Sequence, residues 1–284
     1  MSEPKIVTLD IERQSAIASS VWQLKQYGYI RPGQIIIPVR TICFSWKWWG
    51  DDKMNFSSEW DPFNDGNVGE PQPFGNTGLL EVYPGHKQMI QIARDVLDRA
   101  DFVVGWNSKQ YDIGSLRQHF AEYDLQPPSP HQDIDLIKTS RSQFNFMSHT
   151  LDEAAPHFGL GHKRENPPGL WEKLRWLPYQ KTPEARSELA LLRSQMDLYN
   201  GRDVELTEQI FMKMIPWIPR LNLYANPELG EGLDIRCRKC NSPDLIWQGY
   251  RRNTTRMYHR YQCVTCRSWG QEVKSVYGME TSSS

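Results

Sequence analysis

Asp10 and Glu12 stand two residues apart in the stretch VTLDIE, residues 7–12, threaded between the apolar Val7, Leu9 and Ile11. On a strand, alternate side chains share a face, so both carboxylates point the same way, roughly 7 Å apart along the chain. Two acids side by side repel, and partial burial sharpens the repulsion. Two readings are open: an edge strand whose acids face water, or a ligand set for a divalent metal ion. The second requires further carboxylates elsewhere in the chain.

Two other stretches offer them. In WNSKQYDIGSL, residues 106–116, Asp112 follows a buried-strand pattern and a short polar loop. It stands near a helix start, where an acid also suits the helix dipole, and Asn107 reads equally as a turn residue. In DLYNGRDVELT, residues 197–207, Tyr199 and Asp203 are four apart and share one helical face. Asp203 lies among Leu198, Val204 and Leu206, which look core-directed. Asp133 and Asp135, in HQDIDLI, alternate as on a strand and compete with Asp112.

In order, DxE on a first strand, NxxxYD after a later strand and YxxxD on a late helix resemble the DEDD superfamily of 3′–5′ exonucleases, in the subclass with Tyr in the third motif. The NxxxYD form is similar to the proofreading domain of family B DNA polymerases, where the aromatic is more often Phe. The stretches FSWKWWG, SHTLDEAAPHFGLGHK and LYNGRDVEL resemble stand-alone phage exonucleases. Such a resemblance covers roughly residues 5–215 and implies a ribonuclease H-like fold.

It implies two Mg²⁺ or Mn²⁺ ions, about 3.5–4 Å apart, clamping an in-line attack on a terminal phosphodiester. Asp10 would bridge the ions, Glu12 and Asp203 would hold the one that activates water, and Asp112 would serve the other, partly through water. Tyr199 would position the attacking water, because a hydroxyl with a pKa near 10 is a poor base at neutral pH. The family pattern favours Asp112 over Asp133 and Asp135, which then become structural. None of His149, His157 and His162 stands four or five residues before Asp203, so the histidine subclass is excluded. Lys163 and Arg164 either touch a phosphate or form a solvated pair, and Asn107 borders the substrate.

Four of the five cysteines form CRKC (237–240) and CVTC (263–266), 22 residues apart. The spacing fits a structural four-cysteine zinc site holding one Zn²⁺ in a tetrahedron, with disulfides or chance pairing as the alternatives. A segment of about 45 residues has too small a core to fold without such help. Between the pairs, Arg251, Arg252, Arg256 and Arg260 interleave with Tyr250, Tyr258 and Tyr261. This resembles the zinc ribbons at the ends of transposases and other DNA-handling proteins. From residue 233 to 277 there are nine Lys or Arg against three Asp or Glu, whereas the preceding body is mildly acidic. The block favours phosphate backbones; a protein-docking ribbon is the other reading.

The elements that must position these residues are legible from pattern. Strands are expected at 5–11, over 35–49 in one or two pieces, near 54–60 within a loop-rich stretch, at 101–107 and at DIDLI. Helices are expected at 86–100, 111–123, 148–160 (capped by Ser148 or Thr150) and from about 182 to 214, closed by Pro216 and Pro219. The layout is α/β: a ribonuclease H-like mixed sheet flanked by helices, plus a small C-terminal zinc ribbon. The expected boundaries are 1–224 for the exonuclease domain, 225–232 for a linker, 233–277 for the ribbon and 278–284 for a disordered tail. Trp46, Trp48 and Trp49 either border the substrate groove or belong to the core.

No apolar run is long enough to span a membrane and no signal-peptide apolar region opens the chain. The setting expected is a reducing cytoplasm, the host's if the chain is phage-encoded. The expected partner is nucleic acid, DNA ahead of RNA, with a DNA polymerase or other replication protein as a second candidate. The expected activity is hydrolysis of single-stranded 3′ ends to nucleoside monophosphates, in proofreading or DNA processing. The rivals are an RNA-directed exonuclease and a binding or polymerase-accessory protein whose nuclease fold is silent.

Overall fold

The computed structural model describes residues 3–19, 30–61, 72–73, 80–224, 235–272 and 276–278. The body strands are, in chain order, β1 (Ile6–Gln14), β2 (Ile17–Ala18), β3 (Ile35–Ile37), β4 (Arg40–Trp48), β5 (Asn55–Ser58), β6 (Gln72–Pro73), β7 (Leu80–Val82), β8 (Phe102–Gly105) and β9 (Gln132–Asp135). The helices are α1 (His86–Asp98), α2 (Asp112–Glu122), α3 (Leu136–Gln143), α4 (Leu151–Ala154), α5 (Leu170–Trp176) and α6 (Pro183–Met214).

The main sheet has the order β5-β4-β1-β8-β9. β1 pairs antiparallel with β4 and parallel with β8, and β8 pairs parallel with β9. It is the mixed sheet expected, antiparallel where strands follow each other closely and parallel where a helix makes the crossover. Alternation on β1 divides the layers. Val7, Leu9 and Ile11 pack with α1 and α2 through Met89, Ile90, Val96, Leu97, Ile113 and Leu116. Thr8, Asp10 and Glu12 are left for the other face, where α6 lies.

α6 is one helix of 32 residues, started by Pro183 and by the Thr182 hydroxyl, which accepts from Ala185 N at 3.2 Å. Its C-terminal half buries Leu206, Ile210, Phe211 and Met214 against Ile6, Phe102 and Val104 of the sheet. Each such side chain contributes about 1.5–3 kcal/mol by leaving water. Val204 and Leu206 are fully buried, but Leu198 is 51% exposed, against its expected core direction. It falls outside the buried stripe set by Met196, Asp203 and Ile210.

Other expectations change in detail. The 148–160 segment is α4 followed by a 3-10 turn, Ala155–Phe158, because Pro156 cannot donate to a continuing helix. Thr150, not Ser148, is the cap, accepting from Glu153 N. Pro38 separates β3 from β4. Trp49 meets Phe211 edge-on at 5.2 Å, and Trp46 and Trp48 pack against the α1–α2 layer, so the tryptophan cluster is core.

The ribbon consists of β10 (Leu245–Arg252), β11 (Arg256–Cys263), β12 (Trp269–Gln271) and β13 (Tyr277–Gly278), in one antiparallel sheet. Gly278 thus belongs to the sheet; residues 279–284, expected as the tail, and the expected linker 225–232 lie outside the described residues. The ribbon rests on the body. Lys239 Nζ donates to the carbonyls of Ile215, Pro216 and Ile218 at 2.8, 3.2 and 2.9 Å. These groups follow the end of α6, where a cation suits the helix dipole. Cys266 packs against the body core, and Tyr224 N donates to Arg238 O.

Candidate active site and cysteine centre

β1 and α6 bring three acids together. On α6 the buried residues Met196, Asn200, Asp203 and Thr207 recur at helical spacing toward the sheet. Carboxylate oxygens of Asp10, Glu12 and Asp203 lie within 4.8 Å of one another. Just after Glu12 the register with β4 shifts, leaving Ile42 unpaired, a bulge of the kind that re-aims side chains beside sites.

Asp112 arrives from the other direction. After β8 the chain folds back so closely that a Cβ on Gly105 would stand 2.3 Å from Ser108 Cβ. Asn107 takes a left-handed backbone, φ 63°, and its N–H donates to Asp135 Oδ1 at 2.9 Å. That turn starts α2 at Asp112, which is 2% exposed, and Asp112 Oδ1 accepts from Ile11 N at 2.9 Å. All four acids, with Tyr199, Asn107 and Lys163, line one cleft of about 640 Å³. Asp133 and Asp135 do not line it: Asp135 holds the Asn107 turn and Asp133 pairs with His131. His149 lines the cleft, with its ring held by Ser140.

Sequence reading missed three supporting residues. Asn200 Nδ2 donates to Asp10 Oδ2 at 2.7 Å, clamping β1 to α6. Its signal was its place three residues before Asp203 on a helix. Trp171 hydrogen-bonds Glu12 and meets Tyr199 edge-on at 5.7 Å, and no local pattern marks it. The guanidinium of Arg13 lies 5.1 Å from the Tyr111 ring centre.

Lys163 Nζ reaches Asp203 Oδ2 at 2.6 Å and lies 5.4 Å from the centre of the Tyr199 ring. The ammonium therefore sits inside the acid cluster instead of standing free for a phosphate. Burial pushes Glu12 up to about 8, with Asp203 adding to it. Burial also pushes Asp112 up to about 7, against the relief from the Ile11 N–H. Asp10 rises well above the carboxylate range through burial and then through Asp112, Glu12 and Asp203. Asp203 is raised by burial, with Lys163 opposing. Tyr199 is pushed up to about 12, by burial and then by Asp203, so its hydroxyl keeps its proton at neutral pH. The buried Asp203 Oδ1 has no hydrogen-bond partner among the described residues. Clustered oxygens, mutual repulsion and an orphaned carboxylate oxygen fit a hard divalent cation.

Residues 79–215 match the family model of the RNase_H superfamily. The fold is ribonuclease H-like. The match takes in Asp112, Tyr199 and Asp203, while Asp10 and Glu12 precede it on the strand that α6 covers. It supports a nuclease acting on nucleic acid, and ribonuclease H-like folds use divalent metals; the Asp10, Glu12 and Asp203 oxygens are spaced to hold one ion. No curated protein matches the chain. Among the described residues no helix is long and apolar enough to cross a membrane.

The acid cluster should make the stability of this domain metal- and pH-dependent. Glu12 and Asp112 have folded values of about 8 and about 7 against ordinary values of 4.5 and 3.8. A carboxylate with a raised folded value stabilises fully below its unfolded value and loses that contribution as pH rises through the folded one. In chelator, this contribution should fade between about pH 4 and pH 8. Added Mg²⁺ or Mn²⁺ should raise Tm by several degrees at pH 8 and by almost nothing at pH 5. Buried His86, pushed down to about 3 by burial and then by His119, acts in the opposite sense on the acid side. It does so with and without metal, so the metal-induced increment isolates the carboxylates. Scanning fluorimetry across pH would refute the assignment if that increment were flat.

The four cysteines also converge. Their sulfurs lie within 4.8 Å of one another, with Cys237 to Cys266 at 3.5 Å and Cys240 to Cys263 at 3.6 Å. A tetrahedron with sulfur about 2.3 Å from its centre has edges of about 3.8 Å. Disulfide sulfurs would be about 2.05 Å apart. The centre suits one metal ion. Of the four arginines between the cysteine pairs, Arg251, Arg252 and Arg256 are exposed and carry no side-chain bond among the described residues. Arg260 Nε donates to Gln248 O at 2.7 Å, and its guanidinium lies over Trp269.

Proposed function

We propose that the chain is a 3′–5′ exonuclease that removes nucleotides from single-stranded 3′ ends, DNA in preference to RNA, with a zinc-stabilised C-terminal ribbon. The observation that carries this reading is the open cleft in which Asp10, Glu12, Asp112 and Asp203 meet Tyr199. Asp10, Glu12 and Asp203 would hold divalent metal, Mg²⁺ or Mn²⁺, and Asp112 would complete the set. When bound, the metal lowers the pKa of water and stabilises the leaving oxygen.

The remaining work falls to protein groups. Asn200 fixes Asp10, and Trp171 fixes Glu12. The protonated Tyr199 hydroxyl orients a water and does not act as base, since its proton is held to about pH 12. Lys163, 2.6 Å from Asp203 Oδ2, would hold that carboxylate at the cleft and offset part of the acid cluster's charge. Asn107, at the cleft rim, borders the terminal nucleotide.

The test is cleavage of end-labelled DNA and RNA oligonucleotides with Mg²⁺, Mn²⁺ or EDTA. Stepwise shortening from the 3′ end, lost in EDTA, supports the reading; internal cuts, 5′ shortening or no cleavage would refute it. Preference between the two labels decides DNA against RNA. In the same assay Tyr199→Phe should lower kcat roughly 10–100-fold with KM little changed, about 1.4–2.7 kcal/mol. An unchanged rate would leave Tyr199 as a packing residue against Trp171.

A further inference from the structure

A second cleft, of about 900 Å³, lies where the ribbon meets the body. One wall is the segment after α6, with Trp217 and Arg220; the other is the ribbon face, with Tyr250, Arg251, Arg252 and Trp269. Among the described residues no aspartate or glutamate lines it. Trp217, Tyr250 and Trp269 are 51, 44 and 48% exposed, an unusual state for three large rings around one cleft. Arg260 also lines it, braced by Gln248 O against the Trp269 ring. Lys239 is not available to a ligand, since it is engaged by the carbonyls that follow α6.

We propose that this body–ribbon cleft binds single-stranded nucleic acid, its arginines meeting the phosphates and its exposed rings stacking on unpaired bases. Charge complementarity selects a polyanion. The rings select the single strand, because only unpaired bases offer faces to stack on. Neither wall suffices: the ribbon supplies most of the charge, and the body supplies Trp217.

Placement ties this cleft to the first. Ile137 and Arg141 of α3 line the acid cleft, and Gln143, the last residue of the same helix, lines the second. From Ile137 to Gln143 the helix rises about 9 Å, the reach of a few nucleotides. A strand whose end lies among the acids can therefore continue over α3 onto the ribbon. This continuation rests on the nuclease reading, whereas binding to the cleft does not.

The test is fluorescence anisotropy of a labelled oligothymidylate of about 20 nucleotides with phosphorothioate linkages, in buffer without Mg²⁺, Mn²⁺ or chelator, which prevents cleavage and leaves the cysteine centre its metal. Trp217→Ala, Arg220→Gly and the Arg251→Glu/Arg252→Glu pair would be compared with the wild type. Arg220→Gly keeps a residue suited to the left-handed backbone at φ 54°. Each should weaken binding about tenfold, and Trp217→Phe should restore most of the loss. The arginine variants should flatten the salt dependence while Trp217→Ala leaves it unchanged. A duplex of equal length should bind more weakly and ignore Trp217→Ala.

Variants that bind like the wild type would overturn the inference, as would a silent body wall beside a sensitive ribbon. Equal binding of duplex and single strand, or no binding of nucleic acid, would also overturn it, the last outcome pointing to a protein on this face. An inactive protein whose binding still responds to all the variants would keep the cleft and sink the exonuclease. Active protein with silent variants would do the reverse.

Discussion

Asp10→Asn and Asp203→Asn should each abolish cleavage, by about a thousandfold or more, equivalent to roughly 4 kcal/mol of transition-state stabilisation. Each removes one of three carboxylates that meet within 4.8 Å. The two variants should differ in what they do to the metal-free fold. Asp10 is opposed by burial and by the fields of Asp112, Glu12 and Asp203. An amide relieves all of these, and its carbonyl can still accept from Asn200. In chelator at pH 8, Asp10→Asn should raise Tm.

Asp203 is different because Lys163 Nζ lies 2.6 Å from it. Asp203→Asn strands that half-buried ammonium among fewer acids, so the relief of repulsion is offset and Tm should rise less or fall. Equal inactivation with opposite or unequal shifts in Tm would separate loss of a ligand from loss of structure. A near wild-type rate in either variant would rule out the assignment of the acid cluster.

What was legible in the sequence follows from the range of the physics. The Asp10/Glu12 pair could be read because strand alternation is local, and the Tyr199/Asp203 pair because helical spacing is. Their convergence rested on resemblance, since nothing local says that α6 lies over β1. The four-cysteine centre was legible because two CxxC pairs carry their geometry with them. Lys163 was expected either at a phosphate or in a solvated pair with Arg164; its placement on Asp203 depends on a contact 40 residues away in sequence. Trp46, Trp48 and Trp49 were ambiguous because an aromatic strand serves a core or a groove equally well. The sheet settled it by covering both faces. The basic ribbon was visible as composition, but the cleft it forms with Trp217 was not, because the two walls come from separate parts of the chain.

Removal of the metal from the cysteine centre should unfold the ribbon while sparing the chemistry. The ribbon has little core of its own: Tyr261, Cys237 and Cys263 are its buried apolar residues among those described, and most of β10 is exposed. Structural zinc supplies apparent binding energies of about 10–16 kcal/mol in small domains, far more than such a core can. Wild-type protein should therefore carry one Zn²⁺ per chain by elemental analysis, and Cys240→Ser or Cys263→Ser should carry none. Hydrogen exchange should then show β10 and β11 unprotected.

The body should notice the loss. Lys239 would leave the carbonyls of Ile215, Pro216 and Ile218, and Cys266 would leave the edge of the body core. A cost of about 1–3 kcal/mol, or roughly 2–10 °C of Tm, is expected from those contacts. Point variants test this more cleanly than deletion of residues 233–284, which would remove the Lys239 contacts outright. Asp10, Glu12, Asp112, Asp203 and Tyr199 all lie on the body, so cleavage of an oligonucleotide of about four nucleotides should persist at saturation, while a long single strand should show a raised KM. Protected ribbon strands in zinc-free protein would show that the four thiols do not depend on metal, and a mass deficit from disulfides would show how they are joined instead. Lost turnover on the short substrate would mean that the ribbon helps to build the acid cleft itself.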